Sequence, residues 1–253
     1  MTIRQEQRAP GLGDIRAAAA RIAPHVNRTP VFTSRTLDLE LDAEVVFKCE
    51  NLQKIGAFKA RGAVNAVLCL DPAAAAKGVA THSSGNHAAA LAYAASIRGV
   101  PCTVVMPETS SPIKLEAVRG YGAEIVLCKR EARAATCERV IEETGAAFIH
   151  PYENPDVIAG QGTAALELLD QRPDLDIVVA PVGGGGLLAG TAITIKTLRP
   201  DAVVLGAEPE AVDDAYRSLE TGVRQPGVSD PQTMADGLLT GLGEINFRIL
   251  SDH

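Results

Sequence analysis

Short apolar runs rich in β-branched residues alternate with alanine-rich stretches along most of this 253-residue chain, and that alternation restricts its fold more than any other feature. The runs predict strands over 45–49, 78–82, 102–106, 124–128, 147–150, 177–181 and 203–207. The segments between them predict helices over 14–23, 59–70, 86–98, 112–121, 130–144, 155–169, 187–198 and 212–221. Two helix starts carry capping residues: Asn154 before Pro155 at the first helical position, and Asp14 before an alanine run. Strands separated by helices pair in parallel through right-handed crossovers, with helices on both faces. The expected class is α/β, built from doubly wound open sheets. Residues 222–253 hold turn residues but little sustained periodicity.

Such a length can bury one large core or two small ones. A formal charge of −7 with no basic stripe argues against a nucleic-acid partner. No basic start leads into an apolar signal core, which predicts no export. Segment 177–195 carries no charge and is long enough to raise the question of a membrane span. Pro181 and four glycines interrupt it, so a strand, a loop and a helix replace the membrane reading. Cys49, Cys69, Cys102, Cys128 and Cys137 are widely spaced without a CxxC pair. They read as small core residues of a cytoplasmic protein, not as a zinc site or a disulfide framework. The histidines lack metal-ligand spacing.

Three local patterns carry chemistry. Lys59 opens a predicted helix beside Phe58, where a dry wall and a helix N-terminus both disfavour the charged amine. Taken alone, it also reads as an ordinary solvated lysine. The stretch Ser83-Ser84-Gly85-Asn86-His87 joins a strand to a helix, where backbone N–H groups attract a carboxylate. Taken alone, it also reads as a helix cap. The run Gly183-Gly184-Gly185-Gly186 likewise sits between strand and helix, and its backbone can wrap a phosphate. A tight turn with no ligand is the alternative there. An amine, a carboxylate pocket and a phosphate pocket are together what holds pyridoxal phosphate as a Schiff base and presents it with an amino acid.

The segments 56–63, 83–87, Ala159-Gly160-Gln161-Gly162-Thr163 and 181–186 resemble those of the fold type II pyridoxal-phosphate enzymes. Within that group the chain is most similar to the serine racemases and serine/threonine dehydratases, from about Ile15 to its end. The resemblance implies two tryptophan synthase β-like domains with the cofactor between them. Residues 53–151 would form the small domain, and 1–52 with 152–253 the large, discontinuous one. It implies that Lys59 forms the Schiff base, that Phe58 and Asn86 flank the ring, and that the four glycines with Leu187 hold the phosphate. Gly237 matches a further cofactor position. The carboxylate cradle of Ser83, Ser84, Asn86 and His87 would take the substrate, with Arg133 and Thr240 nearby. Ser84, where many dehydratases carry alanine, would face Lys59 across the cofactor as a second base, as racemisation requires. Glu208, the Val212 carbonyl and Asp214 match a divalent-cation site suited to Mg²⁺, Mn²⁺ or Ca²⁺. By spacing alone they read first as a strand end followed by an acidic helix start, and it is the resemblance that favours metal.

The implied activity is that of a dehydratase (ammonia-lyase) and/or racemase acting on serine, threonine or 3-hydroxyaspartate, in a homodimer. Ala57 departs from the pattern by removing a hydroxyl near the cofactor, and Ala89, with Arg35, weakens a nucleotide effector site although Lys54 and Tyr121 remain. Family members also continue beyond His253, so the large domain is expected to be incomplete at its C-terminal end and activity impaired. Competing readings are β-replacement of the cysteine synthase type, whose lysine segment usually reads Ser-Val-Lys-Asp-Arg, a non-catalytic pyridoxal-phosphate binder, and a plain nucleotide-binding domain.

Overall fold

A computed structural model of the chain describes residues 8–229 and 232–253. In chain order its elements are α1 (Leu12–Ile22), β1 (Val31–Thr33), α2 (Arg35–Leu41), β2 (Val46–Lys48), α3 (Lys59–Cys69), α4 (Pro72–Ala76), β3 (Val79–His82), α5 (Asn86–Arg98) and β4 (Cys102–Pro107). They continue with α6 (Pro112–Gly120), β5 (Glu124–Cys128), α7 (Arg133–Thr144), β6 (Ala147–Phe148), α8 (Pro155–Gln171), β7 (Ile177–Pro181), α9 (Gly186–Leu198), β8 (Val203–Ala207), α10 (Asp214–Thr221) and α11 (Glu244–Asp252). A four-stranded parallel sheet runs in the order β5-β4-β3-β6. β7 and β8 form a second parallel pair, and β1 and β2 an antiparallel one. The α/β class read from the alternation is the observed one.

Period-two side-chain alternation explains why the four-stranded sheet is covered on both sides. Val104 and Met106 point into a cluster with residues of α3, α5 and α6, including Val64, Val67, Leu91 and Val118. Their neighbour Val105 points the other way, with Ala80, onto Cys137 and Val140 of α7. In the β7–β8 pair, Val178 and Ala180 are buried, whereas Ile177, Val179 and Leu205 on the other face are 54%, 60% and 46% exposed. One face of that pair is therefore uncovered.

Helices α3, α8 and α9 cross backbone to backbone. A Cβ on Gly160 would lie 2.6 Å from Gly62 Cα and from the Arg61 carbonyl, and one on Gly190 would lie 2.6 Å from Gly162 N. Glycines on opposite faces of α8 thus let it sit tightly between the helix that starts at Lys59 and the helix that follows the glycine run. Close packing of this kind fixes spacing, because any added methyl must be absorbed by a shift of a whole helix.

A charged network locks the same region. Arg61 is fully buried and donates paired hydrogen bonds of 2.8 Å to both Glu50 and Glu167, while Lys48 Nζ lies 2.7 Å from Glu167. Burial alone would raise the Glu167 carboxyl, but Arg61 and Lys48 hold it below the ordinary range. Burial depresses the Lys48 amine, against the pull of Glu167. Arg61→Met would leave two carboxylates facing one lysine. The expected loss is about 3–5 kcal/mol in urea unfolding, the usual result of deleting one partner of a buried ion pair. A loss below about 1 kcal/mol would mean that the network is dispensable.

Several expectations are corrected. α1 begins at Leu12 with Gly11 as its cap, and Asp14 lies inside its first turn, where the carboxylate accepts a 2.8 Å bond from Gly11 N. Asn154 does cap α8, accepting from Asp156 N and Val157 N at 2.9 and 3.1 Å. Short 3₁₀ turns, Arg130–Ala132 and Glu210–Val212, precede α7 and α10, so both α-helices begin later than expected. β1, α2, α4 and α11 are additions. α11 gives the apparently irregular final stretch a helix whose Ile245, Asn246 and Ile249 are buried. Among the described residues, no helix is long and apolar enough to cross a membrane.

Candidate active site

Lys59 is the first residue of α3, held there by a 3₁₀ turn, Lys54–Gly56, in which Ile55 (φ +61°) and Gly56 (φ +73°) adopt left-handed conformations. A left-handed β-branched residue is uncommon and costs energy, so this entry to the helix is tightly determined by its surroundings. Lys59 is half-buried as a residue, and its amine is enclosed by protein. Nζ donates to the Pro151 carbonyl at 2.7 Å and lies 5.3 Å from the Phe58 ring centre and 5.9 Å from that of Tyr152. Burial lowers its pKa to about 8. A sizeable neutral fraction near neutrality is what a nucleophilic amine needs.

The second element is the β3–α5 junction. α5 starts at Asn86 with Gly85 as its cap, which places Ser83, Ser84 and Asn86 around a helix N-terminus. Ser83 Oγ accepts from Gly85 N at 3.3 Å. His87 is buried, with Nε2 3.0 Å from the Ile149 carbonyl, so that nitrogen carries the proton. Burial, then the nearby Lys59, push its pKa down to about 3, against the pull of the Ile149 carbonyl, and the ring is neutral. Burial and then the charge of Arg133 lower the pKa of His82, while Arg133 Nε donates to the Arg130 carbonyl at 3.1 Å.

The four-glycine run links β7 to α9. Gly185 has φ +87°, a left-handed turn that suits glycine. A Cβ on Gly184 would lie 2.3 Å from the Tyr152 ring, and one on Gly183 would lie 3.2 Å from Thr240 Oγ1 and 3.3 Å from the Gly237 carbonyl. The structure therefore brings Gly237 and Thr240 to the glycine run, with Leu187 in the core cluster behind it. A backbone without side chains, packed this closely at a helix N-terminus, fits a phosphate.

Tyr152 touches both halves of the site, since its ring packs on Gly184 and borders Lys59 Nζ. It belongs to a short strap, 149–153, whose carbonyls at Ile149 and Pro151 accept from His87 and Lys59. His150 lies within the strap, and its Nδ1 accepts from Glu153 N at 2.8 Å. Pro151, Tyr152 and Asn246, which donates to Gly184, were not expected from the sequence. Their partners lie 62 to 94 residues away, and no local pattern marks them.

The acidic segment stands apart. Glu208 accepts from Tyr216 N, and buried Asp214 accepts from Leu242 N, each at 2.7 Å. Burial raises the Glu208 carboxyl, and Asp214 adds to the rise. Glu208 lines a cleft of about 620 Å³ with Glu210, Asp213, Tyr216 and Glu220. Among the described residues, no group of three or more His, Cys, Asp or Glu side chains converges as metal ligands do.

Comparison with known proteins identifies the family. Residues 22–253 match the family described as pyridoxal-phosphate dependent enzyme. The chain is 52% identical over 248 residues to a β-hydroxyaspartate dehydratase of Paracoccus denitrificans, covering 96% of this chain and 78% of that protein. It is 49% identical over 245 residues to a serine racemase of Dictyostelium discoideum, covering 96% and 76%. The solved structure of maize serine racemase superposes with a TM-score of 0.94 at 44% identity, covering 97% of this chain and 75% of that one. The chain belongs to the pyridoxal-phosphate dependent enzymes of fold type II.

Proposed function

We propose that this enzyme is a dehydratase (ammonia-lyase) and/or racemase of small hydroxy amino acids: serine, threonine or 3-hydroxyaspartate. The observation that carries the reading is the convergence of a pKa-lowered Lys59 amine and a four-glycine cradle on one residue, Tyr152, beside a serine-bearing helix N-terminus. The names of the relatives above point to the same chemistry.

Pyridoxal phosphate supplies an aldehyde for amines to condense with and a ring that takes up the electrons left when an α-proton departs. Lys59 is its anchor, the four glycines, Leu187 and Gly237 its phosphate pocket, and Phe58 and Asn86 its flanks. The substrate carboxylate is bound by Ser83, Ser84, Asn86 and His87, the last through its backbone N–H, since its one ring proton is held by the Ile149 carbonyl. Thr240 approaches from the glycine side, and Arg133 receives a second carboxylate where the substrate has one. Lys59 Nζ removes the α-proton from one face and Ser84 Oγ from the other. Return of a proton to the opposite face inverts the centre, whereas departure of the β-hydroxyl as water leaves an enamine that takes up water to give a keto acid and ammonia. Residues 53–151, which contain the whole four-stranded sheet, act as the smaller domain and close over the substrate to exclude water.

A divalent cation at Glu208, the Val212 carbonyl and Asp214 forms a second part of the reading. A Glu208 carboxyl whose proton affinity is raised by burial and by neighbouring Asp214 favours a hard cation there. Chelation is expected to lower the thermal midpoint, and Mg²⁺ or Ca²⁺ to restore it. The five unpaired thiols suit a cytoplasmic location, and a homodimer is the assembly implied by the motifs.

The test is a panel of L- and D-serine, threonine and 3-hydroxyaspartate, given to holo-protein and scored for keto acid and enantiomer together. Keto acid or an inverted enantiomer from at least one of them is expected. A cofactor absorbance band with neither product from any of them would make the protein a binder and not an enzyme of this class.

A further inference from the structure

The inner face of α11 is apolar except at one position. Ile245 and Ile249 pack into a core cluster with Ile15, Ile158 and Ile193, and between them stands Asn246, with no exposed surface. Its Nδ2 donates to the Gly184 carbonyl at 2.7 Å and to the Tyr152 carbonyl at 3.1 Å. Gly243 N, at the start of the same helix, reaches the Gly184 carbonyl at 3.2 Å. Asn246 Oδ1 has no hydrogen-bond partner among the described residues. A buried amide with one end unsatisfied is unfavourable, and an apolar residue would avoid that penalty. The hydrogen bonds that Asn246 does make all go to the glycine loop and the strap.

Peptide geometry gives those bonds a consequence. In a trans peptide the carbonyl and the following N–H point in opposite directions. A Gly184 carbonyl held toward α11 therefore turns the N–H of Gly185 away from α11. Gly185 itself (φ +87°) lies close under α11, where a Cβ would come within 2.9 Å of Asn246 Cβ and 2.6 Å of Leu242 Cδ1. The second bond secures Tyr152, whose neighbour Pro151 holds Lys59 Nζ.

We infer that Asn246 is a positioning residue for the phosphate end of the cofactor, presenting the loop's N–H groups to the phosphate and keeping the loop in register with the strap that holds Lys59. This rests on the reading that the four-glycine run holds phosphate. The experiment compares the affinity of cofactor-free protein for pyridoxal phosphate and for pyridoxal, which lacks the phosphate, in wild type, Asn246→Leu and Asn246→Ala. Circular dichroism and the thermal midpoint report folding.

For both variants the expected result is about tenfold weaker binding of pyridoxal phosphate, or about 1.4 kcal/mol. Pyridoxal affinity should stay within about twofold of wild type, or about 0.4 kcal/mol. Equal weakening of both ligands, or no weakening, would overturn the inference. So would failure of both variants to fold, which would make the amide a structural requirement only. A wild type that binds pyridoxal as tightly as pyridoxal phosphate would instead remove the phosphate reading of the loop itself.

Discussion

Lys59→Met is expected to leave a folded protein without turnover on any hydroxy amino acid, and without the absorbance band of covalently held cofactor. The loss should be at least about 10³-fold, because the variant lacks both the covalent anchor and a general base, and the latter alone contributes about 10²–10⁴. The same substitution should stabilise the cofactor-free protein. Burial lowers the Lys59 pKa from 10.5 to about 8. Below about pH 8 the folded and unfolded chains both carry the proton, and the folded chain bears the whole penalty of burying a cation. Between about 8 and 10.5 the unfolded chain holds more protons, so the stability of the wild type rises with pH. Above 10.5 the difference is gone. At pH 7 the variant should therefore exceed cofactor-free wild type by up to about 3 kcal/mol in urea unfolding, and that advantage should shrink toward pH 10. A variant less stable than wild type at pH 7, or one that still turns over, would contradict the role given to this amine.

Ser84→Ala is expected to separate two activities that share one site. Racemisation needs a base on each face of the α-carbon, whereas elimination from one enantiomer needs only the base on that side. With Ser84 Oγ removed, racemisation should fall by about 10²–10⁴, while elimination from the enantiomer that presents its proton to Lys59 is largely retained. Chiral analysis of the remaining substrate, run beside keto-acid release, measures both quantities. If both fall by the same factor, Ser84 acts only in binding the carboxylate at the α5 N-terminus.

The fold was largely legible because its strands are short runs rich in β-branched residues with clear punctuation between them. Residues 124–128, 177–181 and 203–207 are strands at the expected bounds. β1 and α2 were missed because three residues at an exposed antiparallel edge and one short amphipathic helix carry no strong period. α11 was missed because its apolar stripe is short and is broken by Asn246, a buried residue whose partners, Gly184 and Tyr152, lie 62 and 94 residues away. Asp14 was read as a cap since an acid near a helix start serves either position, and only the backbone distinguishes a cap from a residue one turn inside.

Within the candidate site, the sequence and its family resemblance together supplied the residue types at Lys59, Ser83 to His87 and the glycine run. Their joining was not legible. Pro151 and Tyr152 touch Lys59 across 92 and 93 residues, through a strap whose local sequence advertises nothing. The acidic segment was legible as a run of carboxylates, but in the fold Glu208 and Asp214 each hold a backbone N–H.

The central claim is that the nitrogen of Lys59 is the one joined to the cofactor. Borohydride reduction of the holo-protein, followed by proteolysis and mass spectrometry of the peptides, locates that nitrogen directly. The account predicts a reduced pyridoxyl adduct on the peptide containing Lys59, absent from Lys59→Met. An adduct on another lysine, such as Lys48 or Lys54, or none in folded protein saturated with cofactor, would contradict it.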